Sequence, residues 1–316
     1  MPLLRLVPDN TKIQFMKGRV VGLITSAILS IASIVLFFHP GLNYGVDFRG
    51  GILVELHTDG PANFEALRGD VEKLNVGPVQ LQQFGSPEEV LIRLQRQAGG
   101  DDAQEQAVGR VKADLAQNFP GAKVMRVESV GATVSDELFS QGMLALGLAL
   151  GAMLIYIWFR FEWEFGVGAV VTLILDITKT IGFFAITQMQ FNLVSIAAIL
   201  TIMGYSINDK VVVYDRMREN LRKYKSMPLR QLIDLSINET LNRTIGVSTA
   251  TFLSALPLAL IASEDLREFA IVMLFGIIVS TTSSIFIAAP ILLFLGEGRL
   301  RKSGITAAPL EPVKVK

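Results

Sequence analysis

Long uncharged apolar runs alternate with charged segments along this chain, and one stretch of about 100 residues breaks that rhythm. The first run is Val20 to Phe38, behind a leader carrying Arg5, Lys12, Lys17 and Arg19. Five more follow at 138–159, 166–187, 191–214, 243–262 and 269–295. At 1.5 Å rise per residue, each is long enough to cross about 30 Å of hydrocarbon. The pattern predicts six membrane-spanning helices, with 1–19 and 296–316 as terminal segments on one side. The first run is too long for the apolar part of a cleaved leader, and no A-x-A-like site precedes His39 and Pro40. It therefore reads as an uncleaved anchor.

Orientation follows from Lys and Arg in the short connections. The leader holds four, the segment Asp215–Asn242 six, and the tail Arg299, Arg301, Lys302, Lys314 and Lys316. On the opposite side, Gln188–Gln190 has none and Ser263–Glu268 has only Arg267. Both termini are thus expected in the cytoplasm, and 39–137 outside it.

Within 39–137 the periodicity changes. Gly51–His57 alternates as a strand and Ala62–Leu74 reads as a helix. Val79–Phe84 and Glu89–Leu94 are short strands separated by Gly85, Ser86 and Pro87. Asp101–Asn118 reads as a second helix, stopped by Pro120 and Gly121, and Lys123–Val130 as a last strand. The order β-α-β-β-α-β predicts an α+β, ferredoxin-like exterior domain. It carries 9 basic and 15 acidic residues, net −6, as expected for a solvated surface.

Composition narrows the chemistry. Of 316 residues, 51% are hydrophobic and 18% charged, with a mean hydropathy of +0.46. With 29 basic and 29 acidic residues there is no global field for nucleic acid. No cysteine and two histidines exclude disulfides, thiolate chemistry and histidine–cysteine metal clusters as organising themes. No phosphate-binding loop, nucleophile triad or zinc-protease helix appears, so enzymatic function has no support, and no cofactor is expected.

What remains is charge where lipid should be. Asp176 lies ten residues into the third run with Lys179 three positions on, Asp209 is in the fourth, and Arg243 opens the fifth. Ionisable groups inside spans mark ion or substrate paths. From Phe191 to Asp209 is 18 residues of descent and from Arg243 to Ala262 is 19 of ascent, which sets Asp209 and Arg243 at matching depth for an intramembrane pair. An Asp that alternates between an aqueous cavity and a cationic neighbour can load and release a proton. The blander expectations are that Asp209 is interfacial, that Arg243 snorkels to headgroups, that Asp176 and Lys179 neutralise each other at i,i+3, and that Lys210 points to another helix face and snorkels. Gly142, Gly147 and Gly151, and Gly276 with Ser280, Ser283 and Ser284, read as small-residue packing faces. Pro257 and Pro290 are expected to kink the fifth and sixth spans.

Three motifs carry a family resemblance across nearly the whole chain. NYGVDFRGG (Asn43–Gly51), GYSINDKVVVYDRMREN (Gly204–Asn220) and NETLNRTIGVSTATF (Asn238–Phe252) resemble the SecD/SecF family of bacterial protein-export subunits, of the SecF type, within the RND superfamily. The resemblance implies pairing with SecD in a twelve-span unit beside the SecYEG channel, with YajC nearby and SecA acting earlier. Proton flow would help draw a preprotein from the membrane. It implies that Asp209 and Arg243 belong to a proton pathway with Asp176, and that Asp47, Arg49, Gly50 and Gly51 form the family motif at the membrane exit. Two departures stand out: Leu175 precedes Asp176 where many relatives have His, and Lys179 and Lys210 occupy places usually uncharged, where they would modulate the carboxylates. Sodium remains an alternative to the proton, a non-conducting scaffold an alternative to the motor, and RND-type efflux a distant third.

Overall fold

The structure is a computed structural model and describes residues 8, 11–83, 86–97, 99–262 and 264–295. Arg5, Phe84, Gly85 and the tail 296–316 lie outside the described residues. In chain order the elements are α1 (Arg19–Phe38), β1 (Asn43–Tyr44), α2 (Val46–Arg49), β2 (Gly51–His57), α3 (Phe64–Lys73), β3 (Val79–Gln83), β4 (Glu89–Leu94), α4 (Gly100–Asn118) and β5 (Lys123–Val130). There follow α5 (Ala132–Arg160), α6 (Trp163–Thr187), β6 (Gln190–Phe191), α7 (Leu193–Lys223), α8 (Leu229–Ile261), α9 (Glu264–Ser283) and α10 (Ala289–Leu295). A 3-10 turn, Phe15–Lys17, precedes α1, and a π-helical turn, Ser284–Ala288, joins α9 to α10.

Among the described residues, six helical segments are long and apolar enough to cross a membrane: α1, α5, α6, α7, α8 and the continuous stretch Leu266–Phe294. Several outrun the apolar runs that announce them. α7 continues to Lys223, and α8 begins at Leu229 rather than Arg243. The added turns are amphipathic, with Leu232, Ile233, Ser236 and Ile237 buried on one side. A hydropathy run stops at the first charge, whereas a helix stops only where its backbone bonds do. α8 also runs through Pro257 without a break.

The chain divides into two compact units. The first comprises residues 1–42, 146–189 and 194–316. In it the buried residues of α1 are all serines, Ser26, Ser30 and Ser33, and these form its contact face. A Cβ added at Gly182 of α6 would overlap the Ser33 side chain and come within 2.7 Å of its Cα, so the two backbones meet there. Gly182→Val is expected to force α1 and α6 apart and cost about 2 kcal/mol, read as a lower melting temperature in detergent. Gly276 likewise makes room for Ile202, as a packing glycine should. Gly147 and Gly151 meet no described residue: nothing lies within 4 Å of a Cβ built at either.

The second unit comprises residues 43–145 and 190–193. Its antiparallel sheet has the order β3-β4-β2-β5. Ile52, Val54 and Leu56 of β2 stand opposite Leu94, Ile92 and Val90 of β4. These pairs bury one face of the sheet together with Leu67 and Val71 of α3 and Val111 and Leu115 of α4. A two-strand parallel ladder, Asn43 with Gln190 and Tyr44 with Phe191, was not anticipated. Tyr44, Phe48, Phe139 and Phe191 gather edge to face beside it.

The glycine pair of the NYGVDFRGG motif has a steric reason. Gly50 has φ +67° and Gly51 φ +121°, both positive. A Cβ at Gly51 would overlap the carbonyl oxygen of Leu94 on the neighbouring strand. Three residues before Gly50, Asp47 accepts a hydrogen bond from the backbone N–H of Leu193 at 3.2 Å, satisfying a free donor at the start of α7. Arg49 lies over the Tyr44 ring, 5.5 Å from its centroid.

Candidate functional site

The polar residues of the membrane helices converge inside the first unit. Asp176 of α6 is 1% exposed, and its Oδ2 accepts three hydrogen bonds: from Lys210 Nζ at 2.9 Å, Ser206 Oγ at 2.8 Å and Ser283 Oγ at 2.7 Å. Lys210 of α7 is equally buried and also donates to the hydroxyl oxygens of Ser206 (2.5 Å) and Ser283 (3.2 Å) and to the Ser206 carbonyl (3.3 Å). The ammonium is thus surrounded by acceptors, as a buried charge must be. Lys179 lies 3.8 Å from Asp176 Oδ1, an oxygen with no hydrogen-bond partner among the described residues.

This corrects two expectations. Lys210 does not snorkel; it is buried and is the nearer of the two cations beside Asp176. Asp176 and Lys179 are not a self-contained i,i+3 pair, because the carboxylate is oriented toward α7 and leaves Lys179 as the more distant cation. Sequence depth locates a charge along a helix axis, whereas rotation about that axis decides whom it meets. Lys210 lies one turn below Ser206 on α7, so both face α6 together.

The second carboxylate is separate. Asp209 is 8% exposed and looks toward Ser284 and Thr244, but its Oδ2 and the Thr244 hydroxyl each lack a hydrogen-bond partner among the described residues. Asp209 and Arg243 line one narrow crevice with Tyr205, Asn208, Val212, Thr244 and Val247. They do not form an ion pair: no Asp209–Arg243 contact within 4.0 Å occurs, and Arg243 is exposed on α8. Depth matching brought them to one crevice and not into contact.

One turn nearer the start of α7 a second hydroxyl layer repeats the pattern. Tyr205 donates to Ser248 at 2.7 Å, and Ser248 and Thr281 share a hydrogen bond of 2.8 Å. Tyr205, Ser248 and Thr281 are each three or four residues from Asp209, Thr244 and Ser284, so the two layers stack along the same three helices.

The serines of the sixth span were read as packing residues, and that reading missed them. Ser283 bonds Asp176, and Ser280, Ser283 and Ser284 are fully buried. The signal available in the sequence was their spacing: 280, 283 and 284 define one helix face, opposite helices that carry buried charge. The π-helical turn starts at Ser284, directly behind the site, and Pro290 follows it, so the sixth span departs from regular α-helical geometry just before that proline.

Comparison with known proteins places this arrangement. Residues 110–298 match the family described as protein export membrane protein SecD/SecF, C-terminal, and residues 35–62 match the SecD/SecF GG motif. The protein translocase subunit SecF of Rickettsia bellii is 41% identical over 300 residues, covering 95% of this chain and 98% of that protein. This chain belongs to the SecD/SecF family. The SecDF protein of Brucella abortus is 44% identical over 294 residues, and the chain spans 38% of its length. Among solved structures, SecDF of Thermus thermophilus, titled a translocon-associated membrane protein, superposes with a TM-score of 0.82 at 30% identity, covering 92% of this chain and 39% of that one. A SecDF structure in a super-membrane-facing form gives 0.67 at the same identity, over 97% of this chain and 41% of that one. The glycine pair at 50 and 51 falls inside the GG-motif match.

Proposed function

We propose that this multi-pass membrane protein is a Sec protein-export subunit that joins a SecD partner at the SecYEG channel and couples preprotein release to ion entry. The observation that carries this reading is the Asp176–Lys210 ion pair, fully buried among the membrane helices and held by Ser206 and Ser283. Buried ion pairs are poor stabilisers compared with apolar packing, so their presence in a span favours a functional role. Asp209 Oδ2 has no hydrogen-bond partner among the described residues and can accept a proton or a sodium ion from the crevice it lines. Lys210, adjacent in sequence, belongs electrostatically to both carboxylates. A change of charge on either one alters the force on its ammonium and thus on α7 relative to α6. The stacked hydroxyls of Tyr205, Ser248 and Thr281 supply donors and acceptors along which an ion or water can be handed toward Asp209.

The remaining parts of the reading follow from charge and topology. Lys and Arg asymmetry supports both termini in the cytoplasm and the second unit on the opposite side, which for a protein like its bacterial relatives is the periplasmic side of the inner membrane. The β3-β4-β2-β5 order with its two crossing helices supports a ferredoxin-like fold for that unit. YajC and SecA enter only through the wider machinery.

The decisive measurement is preprotein export in inverted vesicles under separate proton and sodium gradients. Asp209→Asn is expected to remove the gradient-dependent part while leaving SecD association intact. Gradient-driven export at the wild-type rate in that variant would leave only the scaffold reading standing. Loss under one gradient and not the other identifies the ion.

A further inference from the structure

Away from the ion site, the segment before α1 is pinned against the first turns of α8. The Asn238 side chain pairs with the Ile13 backbone in both directions, at 3.0 and 2.8 Å, and Asp234 accepts from the Met16 N–H at 2.8 Å. Between the two runs a groove of about 570 Å3, within the range of small-ligand sites of about 300–1,000 Å3, is lined by Thr11, Lys12, Lys17, Arg230, Gln231 and Asp234, with Ile13 and Leu235 on its sides.

Three features define its occupant. First, the charge is unbalanced among the described lining residues: Lys12, Lys17 and Arg230 face one acid, and that acid already binds the Met16 N–H. Second, the Thr11 hydroxyl is buried and has no hydrogen-bond partner among the described residues. A buried hydroxyl without a partner is costly, and an anionic oxygen in the groove would satisfy it. Third, α1 has 20 residues, about 30 Å at 1.5 Å per residue, so it just fills the hydrocarbon core and sets Lys17, two residues before it, at headgroup depth. A soluble anion would leave the exposed Ile13 side chain and Leu235 facing water, whereas a lipid brings glycerol and acyl carbons to cover them.

We propose that this groove is a binding site for the headgroup of an anionic phospholipid, with Lys12, Lys17 and Arg230 holding the phosphate and Thr11 donating to it. The site is independent of the ion pathway and does not depend on the export reading.

The test uses the full chain purified in detergent and mixed with equal amounts of dioleoyl phosphatidylglycerol and dioleoyl phosphatidylcholine, with bound lipid counted by native mass spectrometry. The wild type is expected to retain phosphatidylglycerol selectively. Lys12→Gln/Lys17→Gln/Arg230→Gln should lower that preference about a hundredfold, on about fivefold per cation. A control of equal charge change outside the groove, Arg222→Gln/Lys223→Gln/Lys225→Gln, should leave it intact. Thr11→Val should weaken retention several-fold without altering net charge, and carries the test if the triple variant fails to fold. Equal retention of both lipids by the wild type, an equal loss in the control variant, or no effect of Thr11→Val would overturn the proposal. So would displacement of the lipid by millimolar inorganic phosphate, which would assign the groove to a soluble anion.

Discussion

Lys210→Met is expected to abolish gradient-driven export and to destabilise the membrane unit by about 3–5 kcal/mol, because it leaves Asp176 charged, buried and without its closest cation. The Ser206 and Ser283 hydroxyls would still donate to Oδ2, and Lys179, 3.8 Å from Oδ1, is the only other cation within ion-pair distance of the carboxylate among the described residues. Asp176→Asn/Lys210→Met separates the two effects. Removing both charges at once is often close to neutral for stability. The double variant should therefore regain most of the melting temperature lost by Lys210→Met while export stays uncoupled from the gradient. If the double variant recovers both stability and gradient-driven export, the pair is a structural tie and not part of the coupling.

The second large effect belongs to the exterior sheet. Gly51→Ala should cost about 3 kcal/mol, measured by protease resistance or thermal unfolding of the second unit within the intact chain. Two causes add. φ of +121° lies where L side chains are strained, by an order of 1–3 kcal/mol. The new methyl would also meet the Leu94 carbonyl, a backbone atom fixed in the β2–β4 ladder that cannot swing aside. Gly60→Ala is the contrast: nothing lies within 4 Å of its Cβ, and it should change stability by less than about 0.5 kcal/mol.

These two sites show where sequence reading reached and where it stopped. The six spans were legible because apolar length is a one-dimensional property, and the β-α-β-β-α-β order because alternation is equally local. The β1–β6 ladder was not legible, since two residues carry no period and its paired positions are 147 apart. Asp176, Asp209 and Lys210 could be named from charge alone. Their partners could not: Lys210 meets Asp176 across two helices whose relative rotation depends on packing that no single run encodes. Ser283 was read as filler because small residues permit close helix packing, and both Ser283 and Ser284 do bond back to the Ser280 carbonyl. Only the opposing carboxylate distinguishes the two.

The widened turn at Ser284–Ala288 holds one more residue than an α-helical turn closes. The extra residue shifts every side chain beyond Ala288 around the helix axis relative to a regular helix, so Ser280, Ser283 and Ser284 keep their face toward the carboxylates while Ala289–Leu295 presents a different one.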